Sequence, residues 1–188
     1  MASSELSKAM DEFGVTGEHV PYIQRYFKRG YAIDVKGRPR EDHCVLQHSN
    51  RMCVLCLAPS HPIVCNKDVQ VTKVDYKVTN RLDRTKNKVV GKRKKGAQWL
   101  NPLSPVCIVY CSDGSQYTTY SCIRSSLLEI NDQLLVTPNL LKDAPEAEGY
   151  LAILRPKFAE SADILQYLET EENYKQKRQQ RDMDEVLK

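Results

Sequence analysis

Between Cys44 and Leu57 the chain runs apolar, polar, apolar, with the break at His48, Ser49, Asn50 and Arg51, residues that suit a tight turn. The pattern predicts a β-hairpin. In VQVTKVDYKV, Val69 and Val71 share one period-two register while Val74, Tyr76 and Val78 share another, so strand structure with a break is expected. VCIVYC and YTTYSCI flank SDGSQ, where Asp113 and Gly114 are residue types that tolerate positive φ. This is the clearest hairpin in the chain. GYLAILRP predicts a closing strand, stopped by Pro156.

Upstream, Tyr22, Ile23, Tyr26 and Phe27 are spaced as one helical turn before Tyr31, Ile33 and Val35 alternate, which predicts a helical lead-in to a first strand. Downstream, SADILQYLET offers Ser161 as an N-cap and sets Ile164, Leu165 and Leu168 on one face, a packed helix. EENYKQKRQQRDMDEVLK carries charge on nearly every side and reads as a mostly solvated one. From Met1 to about Gly17 only Leu6, Met10, Phe13 and Val15 are available to bury, so the start reads as a flexible arm. The expected organisation is an arm over 1–21, a β-rich domain over 22–156 and a C-terminal helical tail over 157–188.

Composition fits that scheme. The 188 residues are 41% hydrophobic and 28% charged, enough apolar side chain for one folded domain and a tail. No window approaches the ~18 consecutive apolar residues of a membrane span, and the N-terminal residues lack the apolar centre of a secretory signal. No membrane insertion is expected. Seven cysteines, an odd number, suit a reducing compartment, where they serve as small apolar residues.

The formal charge of +4 is unevenly spread: Lys67 to Lys95 hold eleven Lys and Arg against three Asp, a net +8, leaving −4 elsewhere. Residues 80–98 contain Arg81, Arg84, Lys86 and Lys88 with almost no apolar partner, which predicts a long exposed basic loop. Its densest part is Lys92, Arg93, Lys94 and Lys95. Three readings stay open for it: a solvated loop, a cluster read by nuclear import receptors, or a contact for nucleic-acid phosphates. The third is disfavoured because no aromatic interleaves the run to stack on a base.

Candidate chemistry is sparse. Cys53, Cys56, His61 and Cys65 have roughly the spacing of a zinc knuckle, but on a strand Cys53 and Cys56 point to opposite faces and cannot chelate one ion. Cys107 and Cys111 share a strand face about 13 Å apart, too far for a common metal or a disulfide. Only His19, His43, His48 and His61 are available as bases near neutral pH, and there is no phosphate loop or nucleophile elbow. No catalytic residue, metal or cofactor is assigned.

Glu129–Ile130–Asn131, Leu134, Pro138, Leu140–Leu141, Gly149–Tyr150–Leu151 and the acidic stretch with Leu165, Leu168 and Glu171–Glu172–Asn173–Tyr174 resemble the C-terminal third of the glycine cleavage H protein family. That resemblance implies a mainly β barrel-sandwich hybrid fold, the class of biotinyl and lipoyl carriers. In that family a lipoyl lysine sits at the preceding hairpin tip. Here the tip reads Ser112, Asp113, Gly114, Ser115, with no lysine from Tyr110 to Ile123, so the carrier hairpin is degenerate and no lipoyl group is expected.

From about Tyr26 to Tyr174 the chain, with HSNRMCVLCLAPSHPI, KRKK and EINDQLL…EGYLAILRPK, resembles the family of actin-binding transcription modulators called Abitram or Simiate. The resemblance implies a non-enzymatic protein that binds actin, influences filament assembly and filopodia, and resides in nuclear speckles as well as the cytoplasm. Implied partners are actin, the nuclear transcription machinery and import receptors. The alternative is a nuclear scaffold or nucleic-acid-contacting factor working through the basic loop; a third reading leaves a residual role to the SDGSQ hairpin.

Overall fold

The computed structural model describes residues 25–91 and 94–186. Nine strands among them form two antiparallel sheets. The larger sheet holds β1 (Phe27–Ala32), β2 (His43–His48), β3 (Cys53–Leu57), β5 (Trp99–Leu100), β8 (Ser125–Ile130) and β9 (Ala152–Arg155), in the order β1-β2-β3-β9-β8-β5. The smaller holds β4 (Val71–Asp75), β6 (Pro105–Cys111) and β7 (Gln116–Tyr120), in the order β4-β6-β7. The mainly β fold expected from the sequence is therefore what the chain adopts.

The inner faces share one core, to which the larger sheet gives Leu55, Leu100, Leu127 and Leu154 and the smaller gives Val71, Val74, Val106 and Val109. Alternation explains the membership: Leu100, Leu127 and Leu154 point inward, while Trp99, Ser126 and Arg155, paired in register one residue away, form an outward row. The two registers around Val71 and Val74 belong to one strand with an irregularity between Val71 and Lys73, which lets both valines face inward.

The β8–β9 connection carries two single-turn helices, Gln133–Val136 and Leu140–Asp143, like the earlier one at Pro62–Cys65. It ends at Gly149, where an added Cβ would lie 2.0 Å from the Leu140 carbonyl oxygen, so only glycine permits that approach. Asn131 holds the return, its amide donating to the carbonyls of Glu148 at 2.7 Å and Tyr150 at 2.8 Å.

Three expectations need correction. The first strand begins at Phe27, not Tyr31, and Val35 lies in a short 3-10 turn at Val35–Gly37. Asp42 and Asp34 cause the early exit: the Asp42 carboxylate accepts from the Asp34 N–H and that of Asp34 from the Arg40 N–H, each at 2.8 Å. The lead-in residues Tyr22 and Ile23 lie outside the described residues.

Second, SADILQYLET is no packed α-helix. It folds as one 3-10 turn at Ile164–Tyr167, and the Ser161 hydroxyl donates to the Phe158 carbonyl at 2.7 Å instead of capping a helix. Ile164, Leu165 and Leu168 do pack on the core, as their spacing suggested.

Third, the charged segment forms a 16-residue helix, Glu171–Val186, that is anchored as well as solvated. Tyr174, 2% exposed, stacks on Tyr31 with ring centroids 4.0 Å apart. Ser60 donates its hydroxyl to the buried carboxylate of Asp42, so the Tyr174 hydroxyl, 2.6 Å away, donates to Ser60. Arg181 closes the arrangement on Asp42 at 2.6 Å and Asp34 at 2.9 Å. Beneath the helix a second cluster gathers Tyr31, Cys44, Leu46, Cys56 and Tyr174 on the outer face of β1–β3.

Candidate functional site

The Ser112–Ser115 hairpin tip is a self-contained turn. Gly114 takes φ 81, and the Asp113 carboxylate accepts from the Ser115 N–H at 2.9 Å and hydroxyl at 2.6 Å. Those donors hold the Asp113 carboxyl below its ordinary range. Ser112 is tied to the chain entering β4, accepting from the Gln70 N–H at 3.0 Å while its own N–H donates to the Gln70 carbonyl. The polar groups of the tip are thus used within the turn and its neighbour.

The basic segment is less exposed than its composition suggests. Arg84 is 4% exposed, and three of its guanidinium N–H groups donate to the Pro105 carbonyl and the Gln98 side chain at 2.6–3.0 Å. Asn87 donates to the Leu127 carbonyl at 2.9 Å and accepts from the Gln98 N–H at 2.8 Å. The expectation of a long exposed loop over 80–98 is corrected at Arg84, which is buried. Hydrogen bonding to main-chain carbonyls orders the segment without apolar burial, a partner that hydrophobic patterning cannot reveal.

Beyond Asn87 the chain makes a tight excursion in which Val90 and Lys95 exchange two main-chain hydrogen bonds, with Gly91 and Lys94 at positive φ. Lys94 and Lys95 are exposed there, and Lys92 and Arg93 lie outside the described residues. Lys94 lines a surface groove with Arg51 and Arg155, which come from the β2–β3 turn and the end of β9. Sequence reading missed this convergence, because its members are scattered and each resembles an ordinary surface charge. The available signal was Phe158, a large apolar residue directly after Arg155 and Lys157: it is 77% exposed, and the Arg51 guanidinium sits 4.2 Å over its ring.

Most of the cysteines, with His43 and His61, are buried in the fold. Cys53 belongs to the core between the sheets and Cys56 to the cluster under the C-terminal helix, so their side chains lie on opposite faces of β3. Burial pushes the Cys53 thiol up to about 12 and that of Cys56 well above its ordinary value, so both stay as thiols. Cys65 is exposed, and among the described residues no group of three or more His, Cys, Asp and Glu is placed to hold a metal ion. His43 and His61 are buried with ring centroids 5.9 Å apart, and burial lowers both pKa values, that of His43 to about 4. His48 ends β2 at the edge of the β2–β3 turn, where its Nδ1 accepts from the Asn50 N–H at 3.1 Å. His19 lies outside the described residues.

No family model matches the chain. It is 47% identical over 154 residues to Protein Abitram of Bos taurus, a match that covers 82% of each chain. It is 49% identical over 152 residues to Protein Abitram of Gallus gallus, covering 81% of this chain and 87% of that one. The chain belongs to the Abitram family. The matches span most of both partners, so the two-sheet domain described above falls largely within the shared length. The chain is also similar to the crystal structure of a glycine cleavage system H protein from Mycobacterium marinum, with a TM-score of 0.46 and 11% identity, covering 72% of this chain and 94% of that one.

Proposed function

We propose that the chain is a non-enzymatic actin-binding protein that regulates filament polymerisation and the dynamics of filopodia and neurites. In the same proposal it has a nuclear role, at speckles, in modulating transcription. Membership of the Abitram family at near-full length is the observation that carries this reading. The sequence resemblance to actin-binding transcription modulators gives that membership its functional content. Actin is the cytoplasmic partner and the transcription machinery the nuclear one, with import receptors acting on the Lys92–Lys95 cluster.

Co-sedimentation with purified actin tests the proposal. The chain should pellet saturably with filaments and alter the time course of polymerisation. Recovery entirely in the supernatant at every actin concentration, together with unchanged polymerisation, would sink the actin reading.

The basic cluster is expected to govern location more than folding. Replacing Lys92, Arg93, Lys94 and Lys95 together by Ala should leave stability within about 1 kcal/mol, since exposed substitutions usually change it by up to ~0.5 each with partial cancellation. The two hydrogen bonds of the excursion are between main-chain groups of Val90 and Lys95 and survive the change. Nuclear accumulation of the variant should fall. If actin binding disappears with it, the cluster is itself the actin contact; if binding survives, it is an address. Unchanged accumulation and unchanged actin binding would leave a solvated loop as the best account.

A further inference from the structure

Two adjoining grooves wrap around the β2–β3 turn, of about 460 Å³ and about 410 Å³, and they share Ser49, Arg51 and Ser161. Arg25, Lys28, Arg51, Lys94 and Arg155 line them, and no carboxylate does. Among the described residues Lys94 and Arg155 have no carboxylate partner, and Arg51 makes its contacts to the Phe158 ring and the Ser161 hydroxyl. Positive charge is therefore concentrated along the path of the two grooves, and the nearest pairing beyond them is that of Arg124 with Glu160 at 4.0 Å.

The same path carries flat rings. Phe158 is 77% exposed at one groove and Tyr26 is 43% exposed at the other. Past Arg155, in the outward row that crosses β9, β8 and β5, stands Trp99, 40% exposed and flanked by the cations of Arg124 and Lys157 at 5.6 Å and 5.1 Å. Gln47, Ser49 and Asn50 add polar groups to the groove linings. The basic run itself holds no ring; the fold brings rings to it from other segments.

We propose that this path binds a single strand of nucleic acid, with bases against Phe158 and Tyr26 and phosphates held by Arg51, Lys94 and Arg155. Cations spaced along a groove match a regularly charged backbone, and every base offers a face to an exposed aromatic ring. A duplex keeps its base faces stacked inside and would use only the charges. An acidic peptide would likewise satisfy the cations and leave the rings without a role.

Fluorescence anisotropy on the full chain tests this, using labelled oligonucleotides of about twelve pyrimidines as RNA and as DNA, the matching duplex, and polyglutamate as competitor. Single strands should bind about tenfold more tightly than the duplex. Phe158→Ala should weaken them about tenfold, within the range found when a stacking ring is removed. That ring is exposed, so folding is not at stake, and an unchanged thermal melt verifies it. Arg155→Gln should reduce the salt dependence of binding by about one phosphate contact. Preference for RNA would assign the site to a strand with 2′-hydroxyls, and equal affinity would assign it to either strand. Equal binding of duplex and single strand, full affinity in Phe158→Ala, or displacement by polyglutamate at matched charge would overturn the proposal.

Discussion

Leu151→Asp should leave no cooperative thermal transition, or one displaced far below that of the parent chain. Leu151 is fully buried in the core between the sheets. Its main chain is already committed: the N–H donates to the Leu55 carbonyl at 2.7 Å, and the carbonyl accepts from the Tyr76 hydroxyl at 2.8 Å. The buried core cluster that it joins is made of aliphatic side chains, thiols and the Tyr76 ring, none of which offers a carboxylate a countercharge. Burying that group uncompensated costs several kcal/mol, against a total stability of about 5–15 kcal/mol for a domain. Leu151→Met conserves volume and should cost less than about 1.5 kcal/mol, which separates charge from shape. An unchanged melting temperature in Leu151→Asp would mean that this position is not core.

That position was legible because its signal is local. GYLAIL places apolar residues at strand spacing, and the hairpins at His48–Arg51 and Ser112–Gln116 announce themselves through turn residues beside period-two runs. The β6–β7 turn has Gly114 at φ 81 where the sequence demanded a tolerant residue. The face assignment of Cys53 and Cys56 followed from strand alternation alone.

What stayed illegible depends on partners far along the chain. Tyr174 and Arg181 look like members of a solvated helix, and become anchors only because Tyr31, Asp34, Asp42 and Ser60 meet them across more than a hundred residues. Arg84 looked like one more cation in a basic run, and its burial rests on the carbonyl of Pro105. The cationic groove has the same origin: Arg25, Arg51, Lys94 and Arg155 come from four segments, and no window of sequence holds two of its walls. Helix periodicity failed in SADILQYLET for a packing reason. An added Cβ on Gly30 would lie 2.9 Å from Leu168, so β1 and this segment pack closely, and residues 31 and 169 pair their main chains as extended backbone.

Acidification from pH 7 to pH 5 should destabilise the fold by about 2 kcal/mol through His43 alone. Its ring joins the two sheets. The Nδ1 faces the Glu41 carbonyl at 3.1 Å and so carries the proton, while Nε2 accepts from the Tyr120 N–H at 3.2 Å and must stay bare. A second proton would set two hydrogens against each other in a fully buried site, and burial accordingly lowers the pKa from 6.5 to about 4. The unfolded chain takes up the proton near pH 6.5 and the folded chain only near 4, so the stabilisation is complete above the first value and is lost as pH falls toward the second. His61 acts in the same direction: its Nδ1 accepts from the Ile63 N–H at 3.3 Å, and burial beside His43 lowers its pKa as well. Glu41 opposes them, because burial raises its carboxyl pKa and the folded state then accepts that proton more readily. Carboxylates held low by hydrogen bonds, such as Asp75 and Asp113, act below the histidine window. Urea unfolding at intervals between pH 7 and 5 is the measurement: the midpoint should fall steadily in the parent chain, and more shallowly in His43→Asn, which starts lower but has lost the titrating ring. A parent midpoint that stays level across this range would show that His43 is not held neutral between the sheets.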